Sequence, residues 1–500
     1  MYNYKTERKG FFMSNQTENK LKRNIGSRQM NMIAIGGAIG TGLFLALGAS
    51  ISEAGPGGTM FAYSFVGVAV FFMMNALGEM ATHLPVAGAF ETFGSKYVDK
   101  SFGFMMGWNY WFCCTFTVAV ELVASAILVK FWLPDSNTII VAVISLLLLI
   151  MLNLFSARAF AESEFWFAGI KFVTIVIFLI VGILMIIGIL GDHQVGFQNW
   201  TLDEAPFVGG GWATFSILMV AGFSFIGVEA TTVAAGECVS PEKNVPRAVN
   251  NVFWRILLFY IGGIFVVSTL VPYTEPNLLS ADLDNVAMSP FTMVFQGAGL
   301  GGASHLMNAV ILTSVLSCGN STMYIASRLL YSMANDKRAP KAFGKVSKRG
   351  VPTLGVLLTA AVASLSFLAS SNGDSVIYTW LYNGTGLTGF ITWLGICVAH
   401  FRFRAAFKAQ GKSLDDLKFK AKLYPYGTGI ALAICAFVIM GQAYWAVSDG
   451  MVDWGGMVII FIGLPVAIVL WLGYKFKMKE KLIPLSEVDL SGGNAAEEVQ

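Results

Sequence analysis

Two stretches of this sequence combine glycines with polar and apolar neighbours at a spacing that breaks a helix. The first reads Ile35-Gly36-Gly37-Ala38-Ile39-Gly40-Thr41-Gly42-Leu43-Phe44, and the second Gly222-Phe223-Ser224-Phe225-Ile226-Gly227-Val228-Glu229. Glycine weakens a helix interior by about 1 kcal/mol relative to alanine, and the first stretch packs four glycines into seven residues. Helices packed closely through small faces are one use of such spacing, and Gly36 and Gly40 have the separation for it. The other use is an unwound helix whose free backbone groups bind a ligand. Around Ile39, Gly40, Thr41 and Gly42, N–H groups at the positive end of a half-helix would stabilise a carboxylate. Around Phe223, Ser224, Phe225 and Gly227, carbonyls released from helical bonding would accept from an ammonium group. One site between two such breaks matches both ends of an α-amino acid zwitterion.

Three ionisable residues fall inside apolar stretches: Glu121, Lys171 and Glu229. A charged residue at the centre of a membrane span costs roughly 2.5–3.5 kcal/mol on insertion scales, so each needs a reason to be there. Lys171 has no basic neighbour and lies about 12 Å, at 1.5 Å per residue, from Ser163 at the expected start of its span. Its two readings are a static ion pair and a proton carrier, and the carrier is favoured. Glu229 follows the second glycine stretch and is expected to pair with a cationic substrate or to gate by protonation. The alternative is a buried glutamic acid bonded to unwound backbone. Glu121 carries a structural reading at least as good as a functional one. Asn383 and Thr385, with Thr388, lie in a broken-looking Tyr382-Asn383-Gly384-Thr385-Gly386 and are candidates to line a side-chain pocket.

The elements that must position these residues are membrane helices. The chain has 500 residues, 55% of them hydrophobic and 13% charged, with mean hydropathy +0.65. Soluble domains carry charge on about a quarter of their residues. The charge deficit runs along nearly the whole chain, which excludes a soluble protein with one anchor. Lipid leaves only helices or closed barrels, because every backbone group must be paired internally. Runs such as 139–152 and 172–190 are apolar throughout rather than alternating. Helices result.

Windows of about twenty apolar residues predict spans at 30–54, 57–82, 103–131, 138–156, 163–190, 211–236, 252–273, 303–333, 353–370, 375–401, 425–447 and 454–474. The fold class is therefore an all-α polytopic membrane protein of about twelve transmembrane helices. The longer connection at 274–302 has room for short interfacial helices. Residues 1–29 form a polar, basic and disordered cytosolic tail without a signal-peptide core, with Met13 a possible start, and 475–500 form a second cytosolic tail. Lys and Arg gather in alternate loops, notably 337–349, 402–422 and 475–481, while the opposite loops carry Asp and Glu. The positive-inside rule then puts both termini in the cytosol of a plasma-membrane protein. Trp108, Trp111, Trp132, Trp454 and Trp471 fall near span ends and are expected at the interface.

Several signals carry little. Gly297-Ala298-Gly299-Leu300-Gly301-Gly302 matches a dinucleotide fingerprint but follows no strand. The sequence contains no Walker A motif, no HExxH and no CxxC pair, and its net charge of +3 is segregated by side rather than suited to nucleic acid. No metal or cofactor is expected, and no enzyme.

The glycine stretches resemble those of the amino acid–polyamine–organocation superfamily, in particular its amino acid permease branch, with the lysine-specific permeases most similar. The resemblance runs from Met32 to Tyr474 and is carried by 33–44, by Gly107-Trp108-Asn109-Tyr110-Trp111, by Ala235-Gly236-Glu237 leading to Asn244-Val245-Pro246-Arg247-Ala248, by 253–260 and by Ser289-Pro290-Phe291-Thr292. It implies a leucine-transporter-like five-plus-five inverted repeat, 30–190 and 211–401, followed by two C-terminal helices at 425–474. It also implies a proton-coupled importer, or an exchanger, with H+ as coupling ion. Family members carry a lysine at the place of Lys171, where it resembles a replacement for a sodium ion. Glu229 is shared with permeases for neutral substrates, so it does not by itself define a cationic one.

The chain departs from the lysine branch at Phe112-Cys113-Cys114, where Tyr-Asn-Trp is usual, and at Ile226-Gly227-Val228-Glu229-Ala230-Thr231. The function expected is proton-coupled import of cationic amino acids, lysine first, with histidine, arginine or a broader range as the alternative. A membrane amino acid sensor is the reading from another class. The partners expected are a small amino acid and the lipid bilayer, with the oligomeric state open and a monomer sufficient.

Overall fold

Apolar runs with few side chains able to bond the backbone leave the main chain to satisfy itself, and among the described residues it does so as helix, with no strand. The computed structural model describes residues 21, 23–36, 39–190, 196–279, 289–297, 299, 301–369, 374–448 and 463–492. The helices are α1 (Ser27–Gly36), α2 (Thr41–Phe44), α3 (Ala46–His83), α4 (Ala89–Tyr97), α5 (Lys100–Lys130), α6 (Thr138–Phe155) and α7 (Ala157–Ile186). They continue with α8 (Gly210–Phe225), α9 (Ala230–Val233), α10 (Pro241–Arg255), a π-helical turn over Ile256–Gly262 and α11 (Gly263–Leu270). Then come α12 (Pro276–Leu279), α13 (Pro290–Gly297), α14 (Gly301–Asn335), α15 (Thr353–Ala363), α16 (Ser366–Ala369), α17 (Asp374–Ala409), α18 (Tyr426–Ser448) and α19 (Gly463–Met478).

Side-chain caps set several starts. Asp99 accepts from Phe102 N at 2.8 Å before α5, Asn137 from Ile139 N at 2.9 Å before α6, and Ser156 from Ala159 N at 3.0 Å before α7. Each satisfies one of the N–H groups a helix start leaves unpaired. The Ser156 cap corrects the expected start of span five. That helix begins at Ala157 rather than near Ser163, so Lys171 lies about 21 Å along it at 1.5 Å per residue.

Eight helical segments among the described residues are long and apolar enough to cross a membrane. One of them, α3, turns sharply at Gly55 (φ 72°, ψ 177°) and so joins the last part of the first expected span, from Ala46, to the second. Short helices α12 and α13 occupy the long connection after α11. Residues 454–462 of the last expected span lie outside the described residues, as does Trp454. Outer helices show an apolar face to the surroundings: Ile144, Leu147 and Met151 on α6, and Val173, Ile177 and Ile180 on α7, are exposed. Lipid is the solvent such a face requires. By contrast α5 is enclosed along most of its length. Trp111, expected at an interface, is buried on α5 and donates to Thr359 Oγ1 at 3.2 Å. Tyr382–Gly386 is a correction too: this segment lies within the continuous helix α17. Gly386 lets α17 approach α8 closely, since a Cβ there would lie 3.0 Å from the Met219 carbonyl oxygen.

The end of the bundle that carries the basic clusters is tied by buried ions. Arg404 on α17 holds Glu79 on α3 through two bonds of 2.5 Å, and Ala421 N donates to the same carboxylate at 2.5 Å. The residues after α19 fold back over this end, with Ile483 N donating to Val98 O at 3.0 Å and Gln410 Nε2 to Val488 O at 2.8 Å. Lys96 pairs with Asp489 at 2.7 Å. Partial burial acts to raise the Asp489 carboxyl, but Lys96 and Ser491 outweigh it and hold it at about 2. Arg404→Ala leaves Glu79 enclosed without its charge partner, a change that costs about 3–5 kcal/mol. Detergent-solubilised variant should melt well below wild type. An unchanged melting temperature would mean that Ala421 and His400 hold Glu79 unaided.

Candidate functional site

Span one is interrupted where its glycines lie. Helix α1 ends at Gly36 and α2 begins at Thr41, with Gly40 between them in a non-helical conformation (φ −144°, ψ −143°). Ile39, Gly40, Thr41 and Gly42 are all buried. The Thr41 N–H, expected to meet a substrate carboxylate, donates instead to Glu121 Oε1 at 3.4 Å, and the Thr41 hydroxyl donates to the same carboxyl group. Glu121, buried on α5, therefore belongs to the span-one break rather than to a remote structural contact.

Span six is interrupted as well. Helix α8 ends at Phe225, residues 226–229 form turns with Gly227 at φ 95°, and α9 resumes at Ala230. The carbonyls expected to be free are engaged. Phe223 O accepts from Ile226 N at 3.1 Å, and Ser224 O accepts from the Tyr260 hydroxyl at 2.6 Å. The chain closes its own turn at the first, and a neighbouring helix caps the second. An arriving ammonium group would compete with these donors rather than fill an open place.

The two breaks touch. A Cβ added at Gly42 would stand 2.5 Å from Ser224 Cα, so only glycine lets α2 lie this close to α8. Tyr63 on α3 clamps the junction, its hydroxyl 3.3 Å from Gly42 O and 3.0 Å from Ser224 Oγ. Gly42→Ala must push the backbones apart, because the nearest atom, Ser224 Cα at 2.5 Å, is main chain and cannot yield as the Ser224 hydroxyl could. We expect the variant to reach the membrane in reduced amount and to bind substrate poorly, measured by surface expression and by binding to the purified protein. Wild-type values for both would show that the contact does not matter.

Glu229 sits at the start of α9, buried, and its carboxyl group gathers three donors. Gly227 N donates at 2.9 Å and the Tyr110 hydroxyl at 2.8 Å, both to Oε2, while Trp393 Nε1 donates to Oε1. The glutamate thus bonds unwound backbone, one of the two readings its sequence position allowed. Phe223 packs edge-on against Tyr382 with centroids 4.5 Å apart, and Phe225 lies 4.2 Å from Tyr260. Thr385 O receives the Cys113 thiol at 3.7 Å, and the Thr385 hydroxyl bonds back to Leu381 O at 2.6 Å. The Asn383 side chain lies outside the described residues.

Lys171 stands apart from Glu229, at the inner end of the first break. Its ammonium group donates to Gly36 O at 2.9 Å and to Ser317 Oγ at 2.8 Å, so it fills the place where α1 lets go of its last carbonyl. Tyr63, Tyr110, Tyr260, Ser317 and Trp393 were not singled out as site residues by the sequence reading. Tyr63, Tyr110, Ser317 and Trp393 lie on helices that carry several other polar groups, so the local sequence holds no signal that singles them out.

An α-helical membrane protein in which two discontinuous helices meet at buried backbone, closed by side chains from the surrounding helices, is the architecture of a carrier for small polar solutes. The chain belongs to the amino acid permease family, whose family model matches residues 29–485. It is 47% identical over 469 residues to the lysine-specific permease LysP of Escherichia coli (strain K12), covering 94% of this chain and 96% of that protein. The lysine-specific permease LysP of Lactococcus lactis subsp. cremoris (strain MG1363) is 47% identical over 485 residues, 95% of this chain and 94% of the relative. The histidine permease HisP of the same strain is 45% identical over 478 residues, 95% of this chain and 99% of the relative.

Proposed function

We propose that the chain imports cationic amino acids, lysine foremost, across the plasma membrane by coupling their entry to protons. The observation that carries this reading is the meeting of the two interrupted helices at Gly42 and Ser224, with Glu229 beside one break and Lys171 at the other. In this reading the substrate carboxylate displaces Glu121 from the Thr41 N–H, and the α-ammonium group competes with Tyr260 for the Ser224 carbonyl. Glu229 then exchanges its Tyr110 and Trp393 donors for the side-chain ammonium of lysine. Lys171 carries the proton: charged, it holds Gly36 and Ser317; neutral, it has a weaker hold on the end of α1 at Gly36. The scaffold is read as twelve spans, two inverted repeats of five and a terminal pair, with both chain ends in the cytosol.

The identity to two lysine-specific permeases supports the substrate class. Histidine is a second reading, favoured by HisP at 45% identity and by Cys113 and Cys114 standing where the lysine branch has larger residues. The test is uptake of labelled lysine into liposomes holding the purified protein, with and without an inward proton gradient, and with arginine, histidine, ornithine and neutral amino acids as competitors. Gradient-stimulated accumulation that lysine itself suppresses best is the expected result. Uptake indifferent to the gradient would replace symport by exchange, stronger competition by histidine would move the substrate, and no uptake of any competitor would favour a sensor.

A further inference from the structure

Beside Lys171 lies a buried carboxyl group that the transport reading leaves without a task. Glu164 precedes Lys171 by seven residues on α7, hence by two turns on the same face, and it is 0% exposed. The two are joined through α14. The Lys171 ammonium donates to Ser317 Oγ at 2.8 Å, and the Ser317 hydroxyl donates onward to Glu164 Oε1 at 2.6 Å. Both bonds point the same way, from nitrogen to hydroxyl to carboxylate. Glu164 Oε2 makes no hydrogen bond, although the Ser321 and Asn320 side chains stand beside the carboxyl group. A buried carboxylate with one oxygen unengaged is an uncommon thing to keep, because desolvating it is costly and a second donor would be easily supplied.

We infer that Glu164 is the acceptor that takes the proton from Lys171 through the Ser317 hydroxyl, and so is the second station of the coupling path. The inference rests on the proton coupling proposed above. In the step, the Ser317 O–H bond breaks and its proton joins a Glu164 oxygen, while an Nζ–H bond of Lys171 breaks and restores the hydroxyl. An ammonium–carboxylate pair becomes an amine and a carboxylic acid, with no change in total charge and no electron transferred. The proton arrives on Oε1, the oxygen that Ser317 touches, and Oε2 becomes the carbonyl oxygen of the acid. Glu164 stands about 10 Å nearer the start of α7 than Lys171, at 1.5 Å per residue, so the proton moves toward the end of the helix that carries Arg158. The other ionisable groups around the pair are Cys318 on α14, Glu121 on α5 and Arg255 on α10. None of these is hydrogen-bonded to the Ser317 hydroxyl, which joins Lys171 to Glu164.

The experiment uses the full-length chain in liposomes with labelled lysine and two readouts: accumulation driven by a proton gradient, and counterflow exchange, which needs no net proton movement. Glu164→Gln keeps the shape and removes the proton acceptor; Ser317→Ala removes the relay and leaves both end groups. The expected result is that both variants lose accumulation while counterflow falls far less. Accumulation at the wild-type level in either variant would overturn the relay. Equal loss of both readouts in both variants would overturn it too, in favour of a static brace between α7 and α14. Should Glu164→Gln fail to assemble, Ser317→Ala alone decides between these outcomes. A wild-type protein indifferent to the gradient would instead remove the coupling reading itself, and is read before either variant.

Discussion

Lys171→Ala is expected to abolish accumulation of substrate against its gradient while leaving equilibrium binding comparatively intact. The lysine touches no part of the Gly42–Ser224 junction; its bonds go to Gly36 O and Ser317 Oγ. On the proposed reading, binding keeps the contacts at that junction, and what disappears is the proton carrier beside Gly36. Removing it takes one donor from Gly36 O, which keeps Ile39 N at 3.1 Å, and one from Ser317 Oγ, at about 1–3 kcal/mol for a buried group left unsatisfied. Some loss of stability is therefore part of the prediction, and Lys171→Met, which keeps the length of the side chain, separates that loss from the coupling defect. The measurement is lysine accumulation in liposomes under an inward proton gradient, beside binding to the same purified variant. Accumulation at the wild-type level in either variant would rule out the coupling role.

Glu229→Gln should be nearly as damaging, for a different reason. Three N–H or O–H donors converge on this carboxyl group, two on one oxygen and one on the other. A glutamine can offer its single oxygen to only one side. Its amide then faces either the Trp393 N–H or the Gly227 N–H, donor against donor, in a fully buried site. Bonds to a charged acceptor are worth about 1.5–3 kcal/mol each, so losing one weakens whatever state depends on it by about tenfold or more. The expected result is lysine uptake near background and lysine binding at least about tenfold weaker, with neutral amino acids less affected. Lysine binding of wild-type strength in Glu229→Gln would place the cationic side chain elsewhere.

Much of this architecture could be seen in the sequence because it depends on composition. Lipid exposure demands long apolar runs, and unwinding within them demands glycine, so the interruptions after Gly36 and after Phe225 stand where the glycines cluster. Where glycine serves another purpose the same signal misleads. Gly386 lies in an unbroken helix because α17 must pass close to the backbone of α8. The start of α7 is expected too late in the sequence since Arg158 and Glu162 look like loop; the Ser156 cap marks the true boundary. Partners of the embedded charges could not be read at all. Tyr110 lies 119 residues from Glu229 and Trp393 lies 164 from it, and nothing in the local pattern of any helix says which polar group will face which. Glu121 shows the same gap: its position in α5 was evident, its place over the Thr41 N–H was not.

Just ahead of α1, Ile25 forms a parallel bridge with Cys238, its N–H bonding Glu237 O at 3.0 Å and its carbonyl receiving Val239 N at 2.9 Å. The inner arms of both interrupted helices are thus fastened to each other beyond their breaks. Neither arm can swing alone without snapping main-chain bonds, so an opening toward that side must carry the pair as one lever, pivoting where the glycines are.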